Sequence, residues 1–233
     1  MQSAEILQQE SRIRRMFSDI AHRYDLLNHL ISLGQDGRWR KRMLAQADLP
    51  PRGRLLDLAT GTGDVALMAA RRFPHGTIIA TDLTPSMVEQ ARRKRGAETV
   101  RWGIADALAL PFPDRTFDVV TSAFMLRNVP DVRRAFAEQY RVLRPGGRSL
   151  TLEMCWPDRP PMSWLFRLYF FHWTPLIGGL LSGHREAYTY LPTSVHRFMR
   201  PPQVAELMTQ VGFRQVEWSL HMGGTVALYL GVT

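Results

Sequence analysis

Two β-patterned segments near the end of the chain, RQVEWSLH and TVALYLGVT, are separated by only three residues, MGG. A parallel crossover needs a dozen or more residues, so these two strands must form an antiparallel hairpin. The chain before them has another rhythm. RLLDLA, following the DLPPRG break, reads as a buried strand, its length and its flanking proline and glycine arguing against a helix. TIIATD, VRWGIAD, FDVVTSAF and RSLTLEM read as four further strands, and PGG as a turn. Between and after them residues 64–72, TPSMVEQARRKRG, VRRAFAEQYRVL and PPQVAELMTQVG read as helices. In the second of these Thr84 is a plausible cap, Pro85 takes the first helical position and Gly96 falls just past the end. From Ile13 to Leu44 the pattern is helical, with Phe17, Ile20, Tyr24, Leu27 and Leu30 at three- and four-residue steps. Strands alternating with helices imply a parallel sheet covered on both faces. The expected fold is therefore α/β: a Rossmann-like, doubly wound, seven-stranded sheet, mostly parallel with one reversed C-terminal strand.

A chain of 233 residues, 45% hydrophobic and 22% charged, can build a sizeable core and lacks the signature of disorder. Its net charge of +9 favours anionic surroundings, but most of the excess is scattered arginine, with short clusters at GRWRKRM and ARRKRG that read as solvated helix faces. No recognisable reading module accompanies them, so no specific nucleic acid is expected. The single cysteine, Cys155, excludes an internal disulfide and a cysteine-based zinc cage and fits a reducing compartment. The first seventeen residues contain no apolar run of the kind a secretory signal needs, so a cytoplasmic location is expected. The greasiest stretch, from Trp164 to Leu181, is interrupted by Arg167, His172 and Pro175 and falls short of the ~20 apolar residues a membrane span requires. It reads as a lid or an interfacial segment.

Between the first strand and its helix lies DLATGTGD. In an open α/β sheet the ligand sits beyond the carboxyl ends of the strands, and glycines in the first strand-to-helix turn let main chain approach it closely. A tight turn with no ligand is the bland alternative. The spacing Gly61-x-Gly63-x-x-Ala66, with Asp82 further on, also satisfies the loose dinucleotide fingerprint. Asp57 and Asp64, however, place carboxylates around the turn, where a diphosphate would want bare N–H groups and a helix dipole; two anionic groups suit a cationic ligand better. S-adenosyl-L-methionine is such a ligand and has no phosphate. Asp82, ending the second strand, could accept from both ribose hydroxyls, and Asp106, after the third, from the adenine amino group.

DLATGTGD, TDLTPSM, ADALALPFPDRTFDVV and RVLRPGG together resemble class I S-adenosylmethionine-dependent methyltransferases. FSDIAHRYDLLNHLISLGQDGRWRK, LRNVPD, LEMCWP, FHWTPLIGGLL, YTYLPTSVHRF and GGTVALYLG narrow the resemblance to the ubiquinone/menaquinone biosynthesis C-methyltransferases, over nearly the whole chain, from about Met16 to Gly231. The resemblance implies that Thr62, Asp82, Asp106 and Ala107 contact the cofactor and that Arg127 and Asn128 face the reacting ring. Asp57, Gly61, Gly63, Leu83 and Met87 complete the candidate cofactor site. Two departures stand out. Where many relatives have serine before the aromatic that ends the fourth strand, this chain has Ala123 before Phe124, with Ser122 on the opposite face by strand alternation. The segment before YTYL reads SGHREA, where relatives often carry an Asn-Asp pair.

The resemblance implies C-methylation of a polyprenylated quinol, a demethylmenaquinol or related benzoquinol; another small aromatic or lipid acceptor is the alternative. Such a transfer asks the enzyme to position donor and ring, exclude water and stabilise a phenolate. Arginine cannot act as a conventional base, but Arg127 could stabilise the phenolate oxygen or hold a water that takes the proton, with Asn128 orienting the same oxygen. Phe124, His172, Tyr188 and Tyr190 are candidates for the substrate pocket, with His172 and His196 secondary candidates for proton traffic. No His, Asp and Glu grouping has metal-ligand spacing, so metal-independent activity is expected. One domain is expected over 1–233: N-terminal helices (1–50), a cofactor-binding core (54–154), a substrate lid (155–200) hinged at Gly178 and Gly179, and a C-terminal helix and hairpin (201–233). The basic surface and greasy lid together suggest reversible docking at the inner face of an anionic membrane. A homodimer is the remaining partner considered.

Overall fold

The computed structural model describes residues 2–158, 160–169, 171 and 185–233, with side chains of 8, 11–158, 160–169, 171 and 190–233. Seven strands, β1 (Arg54–Leu58), β2 (Thr77–Asp82), β3 (Val100–Ile104), β4 (Phe117–Ala123), β5 (Leu143–Met154), β6 (Arg214–His221) and β7 (Val226–Val232), form one sheet in the order β3-β2-β1-β4-β5-β7-β6. The first five pair in parallel, and β7 runs antiparallel to both β5 and β6. The reversed strand expected from the MGG gap is thus β7, inserted between β5 and β6. Nine helices are described: α1 (Gln2–Ile20), α2 (Tyr24–Ile31), α3 (Asp36–Ala45), α4 (Asp64–Arg72), α5 (Pro85–Arg92), α6 (Val132–Val142), α7 (Met162–Leu168), α8 (Arg185–Arg197) and α9 (Pro201–Val211).

Strand alternation explains why β1 and β4 read as continuous apolar runs. Leu55 and Val119 point into one core, with Trp39, Met43 and Leu44 of α3 and Val65 and Ala66 of α4. Leu56 and Val120 point into the other, with Phe136 of α6 and Met208 of α9. A strand buried on both faces has no polar side to show. Asp57 and Thr121 face the α3–α4 side in register with one another, which is where the site begins.

Three local expectations needed correction. PGG is no free turn between helix and strand: α6 passes directly into β5, and the pairing with β4 jumps from Phe117↔Leu143 to Val119↔Arg148, so the glycines form an excursion within the strand. Gly146 adopts φ +78° there and its N–H donates to the Thr233 carbonyl. Thr84 precedes α5, but its side chain makes no capping bond. That helix ends at Arg92, and Gly96 opens a separate 3-10 turn over Ala97–Thr99.

The chain runs outward from β1 through β2 to β3 and then returns to the far side of β1 for β4. This reversal makes a crevice beyond the carboxyl ends of β1 and β4, the position where such sheets take ligands.

Candidate active site

One cavity, of about 130 Å³, opens beyond β1, β2 and β3. Its walls include Gly61, Asp82, Leu83, Met87, Asp106 and Ala107, so six of the nine candidate cofactor residues line a single space. Asp82 holds it together: one carboxylate oxygen accepts the Gly61 N–H and the other the Thr84 N–H, both at 2.8 Å. Burial pushes its carboxyl above the ordinary value, because the two amides only partly offset desolvation. Asp106 accepts the Leu108 N–H at 2.8 Å.

Neither glycine amide of the turn is free for a diphosphate. The Gly61 N–H is committed to Asp82, and the Gly63 N–H donates to the Thr60 carbonyl at 2.9 Å. Among the residues lining the cavity the cation is Arg14, exposed at its rim, whereas the deep wall carries carboxylates. The arrangement fits a phosphate-free adenosine donor. The dinucleotide alternative fails on the same ground.

The carboxylates flanking the turn, read from the sequence as suiting a cationic ligand, have partners within the chain. Asp57 accepts from the hydroxyls of Thr60 (2.5 Å) and Thr121 (2.7 Å), tying turn to sheet, and burial pushes it up to about 6. Asp64 is paired with Lys94 (2.7 Å) and faces Arg40 (3.5 Å). The Thr62 hydroxyl donates to Asp25 of α2, which also pairs with Lys94 at 2.5 Å. Gly63 is a packing residue, because an added Cβ would lie 2.5 Å from the Trp102 ring. Asp57 and Thr62 line only a small recess beside the turn, together with Arg40, Tyr24 and Phe124.

Beyond β4 the backbone turns sharply at Phe124, whose φ of +61° is costly for a residue with a Cβ. Its carbonyl accepts from Arg127 Nη1 (2.8 Å) and Asn128 Nδ2 (2.9 Å), two bonds that hold it there. Arg127 Nη1 also meets Glu153 at 2.7 Å, with the two side chains only 7% and 1% exposed. Glu153 accepts the backbone N–H of Arg127 and Met154 besides. This pair is buried and fully directed, yet Arg127 Nε is buried without a hydrogen-bond partner. A native orphan of this kind calls for an explanation.

Arg127 lies in the wall of a second cavity, of about 210 Å³, formed by α2, α3, α7 and the end of β5. Ile31, Leu33, Trp39, Met154, Phe166 and Leu191 make it largely apolar. Tyr24 and Phe124 line both this cavity and the first, so the two meet at these side chains.

A model of the ubiE/COQ5 methyltransferase family matches residues 5–233. The chain belongs to that family. A demethylmenaquinone methyltransferase of Thermus thermophilus is 48% identical over 219 residues, covering 93% of this chain and 99% of that protein. A ubiquinone/menaquinone biosynthesis C-methyltransferase, UbiE, of Desulfotalea psychrophila is 37% identical, covering 97% and 92%. The crystal structure of a SAM-dependent methyltransferase from Aquifex aeolicus superposes with a TM-score of 0.60 at 17% identity, covering 83% of this chain and 88% of that one. The fold is thus that of the SAM-dependent methyltransferases, as the alternation of strands and helices and the closing hairpin imply.

In this ubiE/COQ5 methyltransferase the two residues expected to face the ring part company. Arg127 reaches the second cavity, while Asn128 lines the first and spends its amide on the Phe124 carbonyl and the Tyr190 hydroxyl (3.0 Å). Burial raises the Tyr190 hydroxyl above its ordinary value, and it borders a smaller apolar recess with Arg127 and Leu191. His196 stands exposed, edge-on to Trp156 at 4.7 Å, away from every described cavity wall. His172, the side chain of Tyr188 and the hinge at Gly178 and Gly179 lie outside the described residues. Ala123 lines the first cavity, and Ser122 is turned away onto Thr151 at 3.1 Å, as strand alternation requires. The sequence reading missed Tyr24, Asp36, Arg40 and Glu153. Glu153 stood within the LEMCWP motif; a lone carboxylate in an apolar strand buried on both faces was its available signal.

Proposed function

We propose that the chain transfers a methyl group from S-adenosyl-L-methionine to a ring carbon of a polyprenylated para-quinol. The observation that carries this reading is the Arg127 guanidinium, fixed by Glu153 in the wall of an apolar cavity that meets an adenosine-compatible one at Tyr24 and Phe124. The relative named demethylmenaquinone methyltransferase supports a naphthoquinol head group.

Asp82 would hold the donor's ribose, Asp106 and Ala107 its adenine edge, and Leu83 and Met87 its adenine faces. The donor supplies a sulfonium-bound electrophilic methyl group. A quinone ring is electron-poor, so the acceptor is the reduced quinol, whose carbon beside a hydroxyl becomes nucleophilic as that hydroxyl ionises. The Arg127 guanidinium stabilises the resulting oxyanion, and water takes the hydroxyl proton, since arginine cannot; methyl transfer breaks the S–CH3 bond and leaves S-adenosylhomocysteine, and the ring carbon then loses its own proton to water as the oxygen is reprotonated and the ring rearomatises. Glu153 fixes the guanidinium in place. Asn128 acts through Phe124 and Tyr190 as a positioning residue. Tyr24 and Phe124 shield the meeting point from water.

Arg127→Lys tests the assignment. It keeps a cation beside Glu153, whose isolation in the core would otherwise cost about 3–5 kcal/mol, and removes the planar donor edge. Turnover is expected to fall about 100-fold or more with donor affinity by calorimetry unchanged; wild-type turnover would defeat the assignment.

We also propose reversible docking on an anionic lipid surface. Trp164, Leu165 and Leu168 of α7 are 70%, 58% and 55% exposed beside exposed Arg167, and Leu33 and Met222 flank the second cavity with 64% and 43% exposure. Apolar side chains interleaved with a cation suit an anionic membrane interface better than a second copy of an equally basic chain. No described helix is long and apolar enough to cross a membrane.

A further inference from the structure

The wall of the second cavity carries charged side chains of opposite character, Arg127 and Asp36, the latter paired with Arg40. Arg127 can only donate. Asp36, on the first turn of α3, is grouped with Ser32 and Arg40 in the same wall. Asp36 accepts the Ser32 hydroxyl at 3.0 Å, pairs with Arg40 Nη1, and has exposed His29 3.5 Å away. Its side chain is 13% exposed. Burial works against its charge, but the Arg40 guanidinium and the hydroxyl more than offset this and hold the carboxyl below its ordinary value. The Gly37 N–H also bonds this carboxylate, so Ser32, Arg40 and Gly37 occupy three of its roughly four lone-pair sites and leave one for a further donor. The guanidinium carbons of Arg40, which pairs with Asp36, and of Arg127 lie 5.9 and 6.0 Å from the centroid of the Phe124 ring, so both charged groups are gathered around one aromatic side chain of the cavity wall.

We infer that the cavity reads the redox state of its ligand: Asp36 accepts a hydrogen bond from the para-hydroxyl of a hydroquinone whose other oxygen faces Arg127, and thereby rejects the quinone. The inference rests on the quinol reading proposed above. A hydroquinone on the way to its monoanion carries one acceptor oxygen, suited to Arg127, and one donor hydroxyl, suited to Asp36. A quinone carries acceptors at both ends. Its second carbonyl would meet a carboxylate with no proton between them, a repulsive contact that discriminates against the oxidised ring. The bond to Asp36 also moves electron density toward the ring, which assists attack on an electrophilic methyl group.

Anaerobic calorimetry in the presence of S-adenosylhomocysteine tests this with three short-tailed ligands: a para-hydroquinone, its quinone, and the hydroquinone monomethylated on the oxygen remote from the reacting carbon. In the wild type the hydroquinone should bind at least about tenfold more tightly than either of the others, the worth of one hydrogen bond to a charged group. Asp36→Asn, whose amide can donate to a carbonyl, should bring hydroquinone and quinone within about threefold of each other. Equal binding of all three by the wild type overturns the inference alone, as does an undiminished preference in Asp36→Asn. Binding of none of them, with S-adenosylhomocysteine still bound, defeats the acceptor site itself. The ether comparison needs no variant, so the test survives if Asp36→Asn does not fold.

Discussion

A methyl group added at Gly63 would lie 2.5 Å from Cη2 of Trp102 and 3.0 Å from Cβ of Ala91, on a residue with φ +84°; at Gly61, with φ +57°, it would find only Tyr24 Cε1 at 3.6 Å. Two glycines that look interchangeable in sequence therefore have separate duties. Gly63 lets α4 and its turn close on an indole fixed by its own bond to the Ala97 carbonyl (2.8 Å), and Gly61 borders the donor cavity. Gly63→Ala should lose about 2 kcal/mol or more through overpacking and backbone strain, and Gly61→Ala about 1 kcal/mol from its left-handed conformation. Urea unfolding of the two variants checks the order; a larger loss at Gly61 would show that the indole yields easily. Spacing revealed that the turn needed glycine. It could not reveal which glycine faced a ligand, because that depends on Trp102, thirty-nine residues further on.

At the scale of elements, α2 is tied to the donor turn by Asp25, through the Thr62 hydroxyl and Lys94, and Lys94 continues to Asp64. The charged groups are 25% (Lys94), 44% (Asp25) and 30% (Asp64) exposed and join α2, the start of α4 and the turn after α5, so they fix how the N-terminal helices sit rather than how stable the sheet is. Lys94→Met should change global stability by less than about 1 kcal/mol while raising amide exchange along α2. Exchange in β1 and β4 should stay as it is; unchanged exchange in α2 would show that its apolar contacts alone hold it. Legibility divides along the same line. The hairpin, the bounds of α4 and the order of alternating elements could be read because hydrophobic period and turn chemistry are local. The PGG excursion could not, since continuous pairing from α6 into β5 depends on β4 and on Thr233 at the other end of the chain. Likewise Glu153 lies twenty-six positions from Arg127 and declares its role only once β4 and β5 are paired.

For the whole molecule, the donor cavity lies over the sheet's switch point and α7 helps wall the apolar cavity, so the greasy, cationic face and the cavity proposed for the acceptor share one element. Flotation with liposomes containing anionic lipid should carry the protein at low salt and release it as salt rises. Trp164→Ser combined with Leu168→Ser should abolish flotation while leaving turnover of a water-soluble, short-tailed quinol intact; flotation of that variant would place docking elsewhere. Tyr24 contributes to the wall of both cavities, to the recess beside the glycine turn and to the apolar recess behind Arg127. A partition held in common transmits occupancy: whatever settles on one side alters the free energy of arrival on the other. Thermodynamic reciprocity then demands that the nucleoside and the lipid influence each other's affinity by an identical factor.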